Sequence, residues 1–551
     1  MIFAPTPKNI RVILTAFCGD AHGSPFRVND WLPAMQAAAM MGVHHFEFGG
    51  ARYQTACFQA GEDPFLGMDR MREAVGPEID LQVLTRSICG VTLHPQRLTM
   101  LEKQARLLKK HGATVARNID FMNDISNLSK TGKPIVDAGM HHQVCVAMMG
   151  LPYSTQSTHT PESYVQVVQK LLESGLHFDS VCMQDASGTT SPHNCYETAK
   201  GIKRILPPEI PLSMHTCDTA SMAVACYMAG IAGGVDSIDL SVRPLAAGVM
   251  QPDVRSMARA LQSTGYSLDM DMRNMDELEK LLDAGLQDSA LDPVTTAPDA
   301  RVVNFPISGD AIGPHLQSMV KAGLMQRYHE VLAEGPEVMR AGGVWTSAAP
   351  GSQHYWSQAV NNVLHGRWQR IDAGYGHSIL GYLGRPPQAS NPEVVKIAAE
   401  QLELNPCAGD PLEQAPDHLA AAEAMLREQG LPLTDENLFL VASSIAPGEN
   451  EQLNAGMRWL TGHFETGPSL DAQESADSET LLVPAPAILE DPTPETTTPP
   501  DSTPVLPAPS AEPEPASMAI ASFFTAPVTT QCTVIEGDVM RIFRVTIEPP
   551  K

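Results

Sequence analysis

The chain has 551 residues, 43% of them hydrophobic and 18% charged, and carries a formal net charge of −26. Its length suits several domain units or one large barrel with additions. So acidic a surface repels nucleic acid and anionic lipid, and the absence of any run of about 18 apolar residues argues against a membrane span.

In chain order, short β-like runs alternate with helical patterns over the first 290 or so residues. The expected strands are "RVILTAF" (11–17), "HHFEFG" (44–49), "LQVLTR" (81–86), "TVARNID" (114–120), "HQVCVAMMG" (142–150), "DSVCMQD" (179–185), "PLSMHT" (211–216) and "GVDSIDLS" (234–241). Helical patterns between them include 95–112 and 161–175, the latter with Pro161 near its start and Gly175 at its end, as helix caps prefer. Eight βα units predict an α/β fold of the TIM (β/α)8 class over residues 1–290. No G-x-G-x-x-G follows the first strand, so an open doubly wound sheet is the weaker alternative.

Residues 291–465 read as a mainly helical domain. Residues 466–517 are rich in proline and acid and hold no Lys or Arg, a composition that predicts a disordered linker. In 518–551, two alternating runs flank Gly537-Asp538, a short β-hairpin signature, and so small an element would dock on a partner or on the body. "MIFAPTPKNIRVILTAF" does not read as a signal peptide, and cysteines without C-x-x-C spacing suit reduced thiols, so a cytoplasmic location is expected.

In a barrel the chemistry lies where strands end. The polar residues there are Asp20, His22, Arg86, Asn118, Asp120, Gln184, Asp185, His215, Cys217 and Asp218. His215, Cys217 and Asp218 fall within four residues, a candidate metal or acid/base cluster on a strand end. The paired histidines at 44–45 and 141–142 lie at strand starts and read as structural, as does His22 if it is packed rather than catalytic.

Several of these segments carry a family resemblance. "CGDAHGS" (18–24) is similar to R-D-A-H-Q-S, "FGGARY" (48–53) to W-G-G-A-T-F, "LQVLTR" to L-Q-M-L-L-R, and "RNIDFMNDISNL" (117–128) to R-I-F-D-A-L-N-D-x-x-N-L. "CMQDASG" (182–188) parallels I-K-D-M-A-G, "HTCDTAS" (215–221) parallels H-T-H-D-T-A-G, and "APGSQ" (349–353) parallels T-P-T-S-Q. In order and spacing the chain resembles the biotin-dependent carboxyltransferase subunits: pyruvate carboxylase, oxaloacetate decarboxylase alpha chain and transcarboxylase. The resemblance implies a barrel with a divalent metal, and a helical domain completing the mouth. There, carboxybiotin and a 2-oxo acid exchange a carboxyl group and a proton.

The family's ligands are an aspartate, a carbamylated lysine and two histidines. Asp20 and His215 match, Cys217 replaces the second histidine, and Gln184 replaces the lysine. Thiolate and imidazole both suit zinc, whereas an amide cannot form a carbamate. The resemblance implies Asp20, Gln184, His215 and Cys217 as metal ligands, Gln184, Asp185 and His22 as catalytic residues, Arg86 as the substrate-carboxylate contact, and Asp218 as an orienting neighbour. Arg86 could instead pair with Asp120 or Asp185. Gly19 and Gly23 stand where the family has substrate-binding Arg and Gln, which argues for altered specificity.

The only lysine after Lys396 is Lys551, and no A-M-K-M turn exists, so biotin would sit on a separate carrier chain. The expected partners are biotin carboxyl carrier and biotin carboxylase chains and a small carboxylate substrate, in a homodimer or larger complex. The competing expectations are a catalytically degenerate scaffold or regulatory subunit, and a biotin-independent aldolase-like lyase.

Overall fold

The computed structural model describes residues 7–17, 27–50, 53–153, 158–286, 291, 293–445, 454–463, 528–536 and 539–547. Eight parallel strands close into a barrel: β1 (Lys8–Leu14), β2 (His45–Gly49), β3 (Asp80–Thr85), β4 (Val115–Asn118), β5 (His141–Ala147), β6 (Ser180–Asp185), β7 (Leu212–Thr216) and β8 (Ser237–Leu240). β1 closes the ring, pairing with β8 at Val12↔Ile238 and with β2 at Leu14↔Phe46. A short β9 (Tyr266–Leu268) adds to the outer edge of β1. All eight strands expected from the sequence are present, and their ends differ from the expected ones by a few residues.

Short polar caps set where the intervening helices begin. Thr160 Oγ1 accepts a hydrogen bond from the Ser163 backbone, and Ser163 Oγ accepts one from the Thr160 backbone, so Pro161 falls in the first turn of Pro161–Glu173. Asp63, Asp124 and Ser191 cap three further barrel helices in the same way.

Strands covered on both faces are expected to be apolar throughout. Here the outward positions are apolar and the inward ones are largely polar, in layers. Gln143 on β5 donates to Ser180 on β6 and Ser213 on β7, and Ser213 bonds Ser237 on β8. Above them lie Glu47, Arg117 and Asp239, one from each of β2, β4 and β8.

The region after β9 is helical, including Gly309–Lys321, Tyr328–Gly342 and Gly351–His365. One apolar cluster joins its Trp345, Tyr355 and Tyr375 to Phe121, Cys145, Ala147 and Cys182 of the barrel. Trp345 stacks on Tyr355 with ring centroids 4.4 Å apart, and Thr346 bonds the Phe121 carbonyl through its N–H and its hydroxyl. Gly351 is needed for this approach, because a Cβ there would come within 2.6 Å of the Phe121 ring and 2.7 Å of the Thr346 carbonyl. The helices His418–Glu428 and Asp435–Ala442 pack on the side of the barrel, where Phe439 meets Phe65 and Asp435 pairs with Lys103.

Two compact units result, Met1–Val483 and Pro484–Lys551. In the second, β10 (Val528–Glu536) and β11 (Val539–Ile547) pair antiparallel from Glu536↔Val539 outward. The segment expected as a linker, 466–517, lies outside the described residues.

Candidate active site

β6 and β7 are in register at Gln184↔His215, so the two side chains stand side by side at the C-terminal end of the barrel. Cys217 follows two residues after His215, on the same inward face. The strand-end cluster is thus assembled as the spacing implied for Gln184, His215 and Cys217. Asp20, the fourth expected metal ligand, and His22, an expected catalytic residue, lie outside the described residues, as do Gly19 and Gly23.

The His215 ring is held at both nitrogens. Nδ1 is 2.7 Å from Asp239 Oδ2, while Nε2 is 3.3 Å from the Gln251 amide nitrogen and 3.9 Å from the Cys217 sulfur. Asp239 can only accept, so Nδ1 carries the proton, and Gln251 Nε2 can only donate, so the Nε2 lone pair accepts from Gln251. Thr15 on the barrel rim fixes the amide by donating to Gln251 Oε1. Asp239 therefore orients His215, a role expected for Asp218. Asp218 instead accepts from the Ala223 backbone and begins the helix Ala223–Gly233.

Below His215, the fully buried Arg117 guanidinium meets both oxygens of Asp239, lies 3.1 Å from Glu47 Oε2, and donates to Gln143 at 2.6 Å. Burial opposes charge on Asp239, yet Arg117 and His215 hold its carboxyl well below the usual carboxylate range. The same carboxylates hold Arg117 well above its ordinary value against burial. Glu47 also accepts from Gln82, which in turn bonds His45 Nε2 at 2.9 Å, and burial lowers His45 to about 4. Sequence reasoning missed Glu47, Arg117 and Asp239. The available signal was a charged residue midway along each of three otherwise apolar strands, with the signs opposed.

Glu47, His215 and Asp239 bring ligand atoms within 4.8 Å of one another, a spacing consistent with a divalent cation. Arg117 already supplies positive charge to both carboxylates, and an ion on the other side, at His215 Nε2, would have to displace the Gln251 amide that donates there. There, the 3.9 Å between Nε2 and the Cys217 sulfur is near the ~3.5 Å that bond lengths give two ligands of one tetrahedral zinc. Burial, and then the charges of Asp310 and Asp185, push the Cys217 thiol well above its ordinary value, so without a metal it stays protonated. Gln184 turns its carbonyl oxygen to the Cys145 thiol at 3.3 Å.

Arg86 pairs with neither Asp120 nor Asp185. Its Nη2 lies 3.3 Å from Asp310 Oδ2, on the first turn of Gly309–Lys321. The arginine side chain is only 5% exposed, and its Nη1 has no hydrogen-bond partner. Asp185 accepts from the Ser187, Gly188 and Thr190 backbones and the Ser187 hydroxyl, clamping the loop after β6. Asp120 accepts from the Met122 and Asp124 backbones and from Asn127, and burial, then Asp124, raise it to about 6. Asn118 donates to Thr131, among Thr85, Ser87 and Leu101, and so points away from the barrel interior.

The helix Gly309–Lys321 links the arginine to the histidine. The Gly309 N–H bonds the Ala186 carbonyl and approaches the Cys217 sulfur. A Cβ on Gly309 would lie 2.1 Å from the Val249 carbonyl. Arg86, Asp310, Cys217 and His215 thus form one continuous patch.

A parallel (β/α)8 barrel with acid, imidazole, thiol and arginine at its C-terminal mouth is the architecture of a barrel enzyme. Residues 84–282 match the HMGL-like family model, and residues 302–447 match the conserved carboxylase domain model. A pyruvate carboxylase subunit of Methanothermobacter thermautotrophicus is 28% identical over 474 residues, 84% of this chain and 79% of that protein. The methylmalonyl-CoA carboxyltransferase 5S subunit of Propionibacterium freudenreichii subsp. shermanii is 28% identical over 454 residues, covering 80% and 85%. The carboxyl transferase domain of Rhizobium etli pyruvate carboxylase, solved with pyruvate and biocytin, superposes with a TM-score of 0.74 over 85% of this chain and 80% of that one, at 18% identity. The chain is a homologue of these biotin-dependent carboxyltransferase subunits. Among the described residues no helix is long and apolar enough to cross a membrane.

Proposed function

We propose that this chain is the carboxyltransferase subunit of a biotin-dependent carboxylase or decarboxylase. It moves a carboxyl group between carboxybiotin, carried on a separate chain, and a 2-oxo acid. The observation that carries this reading is Arg86: a buried guanidinium with an unpartnered Nη1, on the same patch as His215 Nε2 and Cys217. A buried donor without a partner is costly, and a substrate carboxylate satisfies it with a charge-assisted hydrogen bond.

His215 and Cys217, with Asp20 and Gln184, would hold a divalent ion, for which zinc suits the imidazole and thiolate. That ion would supply Lewis-acid polarisation of the substrate's carbonyl oxygen. The chain's own residues do the rest. Arg86 fixes the carboxylate, Asp239 keeps His215 in one tautomer, and the helical region covers the mouth. In the transfer, the carboxyl leaves the biotin nitrogen for the substrate carbon, and that carbon's proton goes to the biotin nitrogen. Carrier and biotin carboxylase chains are the partners this chemistry needs.

A second reading, a non-catalytic subunit, draws on Gln184, whose carbonyl oxygen is already engaged by Cys145. Elemental analysis of the purified chain, with oxaloacetate decarboxylation followed with and without free biotin, separates the two. Bound zinc that is lost in His215→Ala, together with biotin-stimulated turnover, is expected. A metal-free chain without biotin-stimulated turnover refutes the catalytic reading in favour of the second.

A further inference from the structure

The Gln251 side chain stands where an ion on His215 would bind. Its amide nitrogen lies 3.3 Å from His215 Nε2 and 3.6 Å from the Cys217 sulfur, and those two atoms are 3.9 Å apart. Bond lengths of ~2.1 Å to nitrogen or oxygen and ~2.3 Å to sulfur set the edges of a zinc tetrahedron at about 3.4–3.6 Å. The three atoms thus nearly form one face of such a tetrahedron, but the amide turns a donor toward it where a metal needs an oxygen. Backbone delivers this buried side chain: the Gln251 carbonyl accepts from the Ala247 N–H, and the next carbonyl, of Pro252, accepts from Ser241. The far end of the amide meets Thr15 Oγ1, which is 2.5 Å from Gln251 Oε1 and 3.1 Å from the Leu240 carbonyl. One hydroxyl hydrogen serves only one of those two oxygens. Turned over, the amide NH2 donates to Thr15 Oγ1, the hydroxyl donates to Leu240, and the amide keeps its partner at that end.

We infer that Gln251 is a metal ligand: with its amide turned over, Oε1 joins His215 Nε2 and the Cys217 thiolate on one divalent ion, zinc by the donor set. The inference rests on the reading that an ion sits at His215 Nε2. The amide that such an ion must displace is thereby retained, with its carbonyl end in place of its NH2 end. Oε1 and the His215 lone pair repel one another at this spacing unless a cation lies between them, so the ion itself selects the turned amide. The thiol proton of Cys217 leaves to solvent as the ion binds. Gln251 takes the place expected of Gln184, whose own carbonyl oxygen is engaged by Cys145 Sγ at 3.3 Å. A neutral carbonyl is a weaker zinc ligand than imidazole or thiolate, so Gln251 strengthens a site that His215 and Cys217 define.

The test measures metal affinity on the full chain, stripped with a chelator. Zinc is titrated against a chromophoric chelator, and cobalt(II) is followed by visible absorption. Wild type, Gln251→Leu, Gln251→Glu and His215→Ala are compared, with thermal melts to verify folding. Gln251→Leu should bind zinc at least about tenfold more weakly than wild type, no less than the loss when a group supporting a metal site is removed. Its cobalt complex should keep the thiolate charge-transfer band of Cys217 while its ligand-field bands shift. Gln251→Glu, which offers an oxygen and no N–H, should bind at least as tightly as wild type. Unchanged or tighter zinc binding in Gln251→Leu, with binding lost in His215→Ala, overturns the role of Gln251 and leaves the ion on His215. Should Gln251→Leu not fold, Gln251→Glu decides alone, and a loss of about tenfold there overturns the inference. If wild type and His215→Ala bind zinc equally, or neither binds it, no ion sits at His215, and the inference falls with the metal part of the functional reading.

Discussion

Replacing Arg117 with methionine removes the one cation seen between two buried carboxylates while keeping an unbranched side chain of similar reach. Arg117 and Asp239 are fully buried, the Glu47 side chain is 7% exposed, and the guanidinium also donates to Gln143. Breaking a buried pair from one side leaves an uncompensated charge and costs about 3–5 kcal/mol. A urea dependence of ~1–3 kcal/mol per molar converts that loss into a midpoint lowered by about 1–5 M. Asp239→Asn in the Arg117→Met background should recover part of the loss, because neutralising the stranded carboxylate removes its penalty. The pair should therefore couple by about 1–3 kcal/mol in a double-mutant cycle. A midpoint shift below ~0.3 M for Arg117→Met, or strict additivity with Asp239→Asn, would refute the argument that this ion pair organises the barrel interior.

Three further outcomes are expected. Asp239→Asn frees the His215 ring, and losses of about 10–100-fold in turnover or metal affinity follow when such orienting carboxylates are removed; an unchanged turnover would show that another group holds the ring. Gln184→Lys places an amine that can form a carbamate beside His215, so bound metal should rise above the wild-type content, and no rise would show that the site does not recover a family-type ligand set. On acidification the fold should weaken. Burial lowers His45, His94, His142 and His159 to about 4, below their unfolded value, so their contribution is present above pH ~6.5 and is lost as pH falls toward 4, at up to ~3 kcal/mol each. Asp120, raised to about 6, works oppositely: its contribution is complete below pH ~4 and is lost as pH rises through 6. The four histidines outweigh the one carboxyl, so urea midpoints should drop between pH 7 and 4.5, and a rising midpoint would contradict these assignments.

The barrel was legible because eight apolar runs were spaced by helical patterns and turn residues, which is local information. The strand-end cluster was legible for the same reason: Gln184, His215 and Cys217 each lie at the C-terminal end of a recognised strand. The errors came from counting every polar residue at such an end as part of the mouth. Side chains alternate along a strand, so with Arg117 pointing in, Asn118 points out, and Asp120 is then free to organise the following loop. Asp239 took the orienting role expected of Asp218 because it lies inward on the next strand, beside His215, whereas Asp218 has already left the barrel. The Glu47–Arg117–Asp239 layer depends on three strands being in register, and the Arg86–Asp310 pair on how the helical region seats over the mouth. Neither relation exists within a stretch of sequence short enough to be read locally.

The central claim is that Arg86 anchors a 2-oxo acid for carboxyl transfer at this mouth. Exchange of labelled carboxyl between oxaloacetate and pyruvate, with free biotin as the acceptor, tests it most directly when wild type is run beside Arg86→Gln. Wild type should exchange label in a biotin-dependent manner, and Arg86→Gln should lose at least about a hundredfold in kcat/KM, the ~3 kcal/mol worth of a charge-assisted carboxylate contact. Equal exchange in the two proteins, or none in wild type, would contradict it.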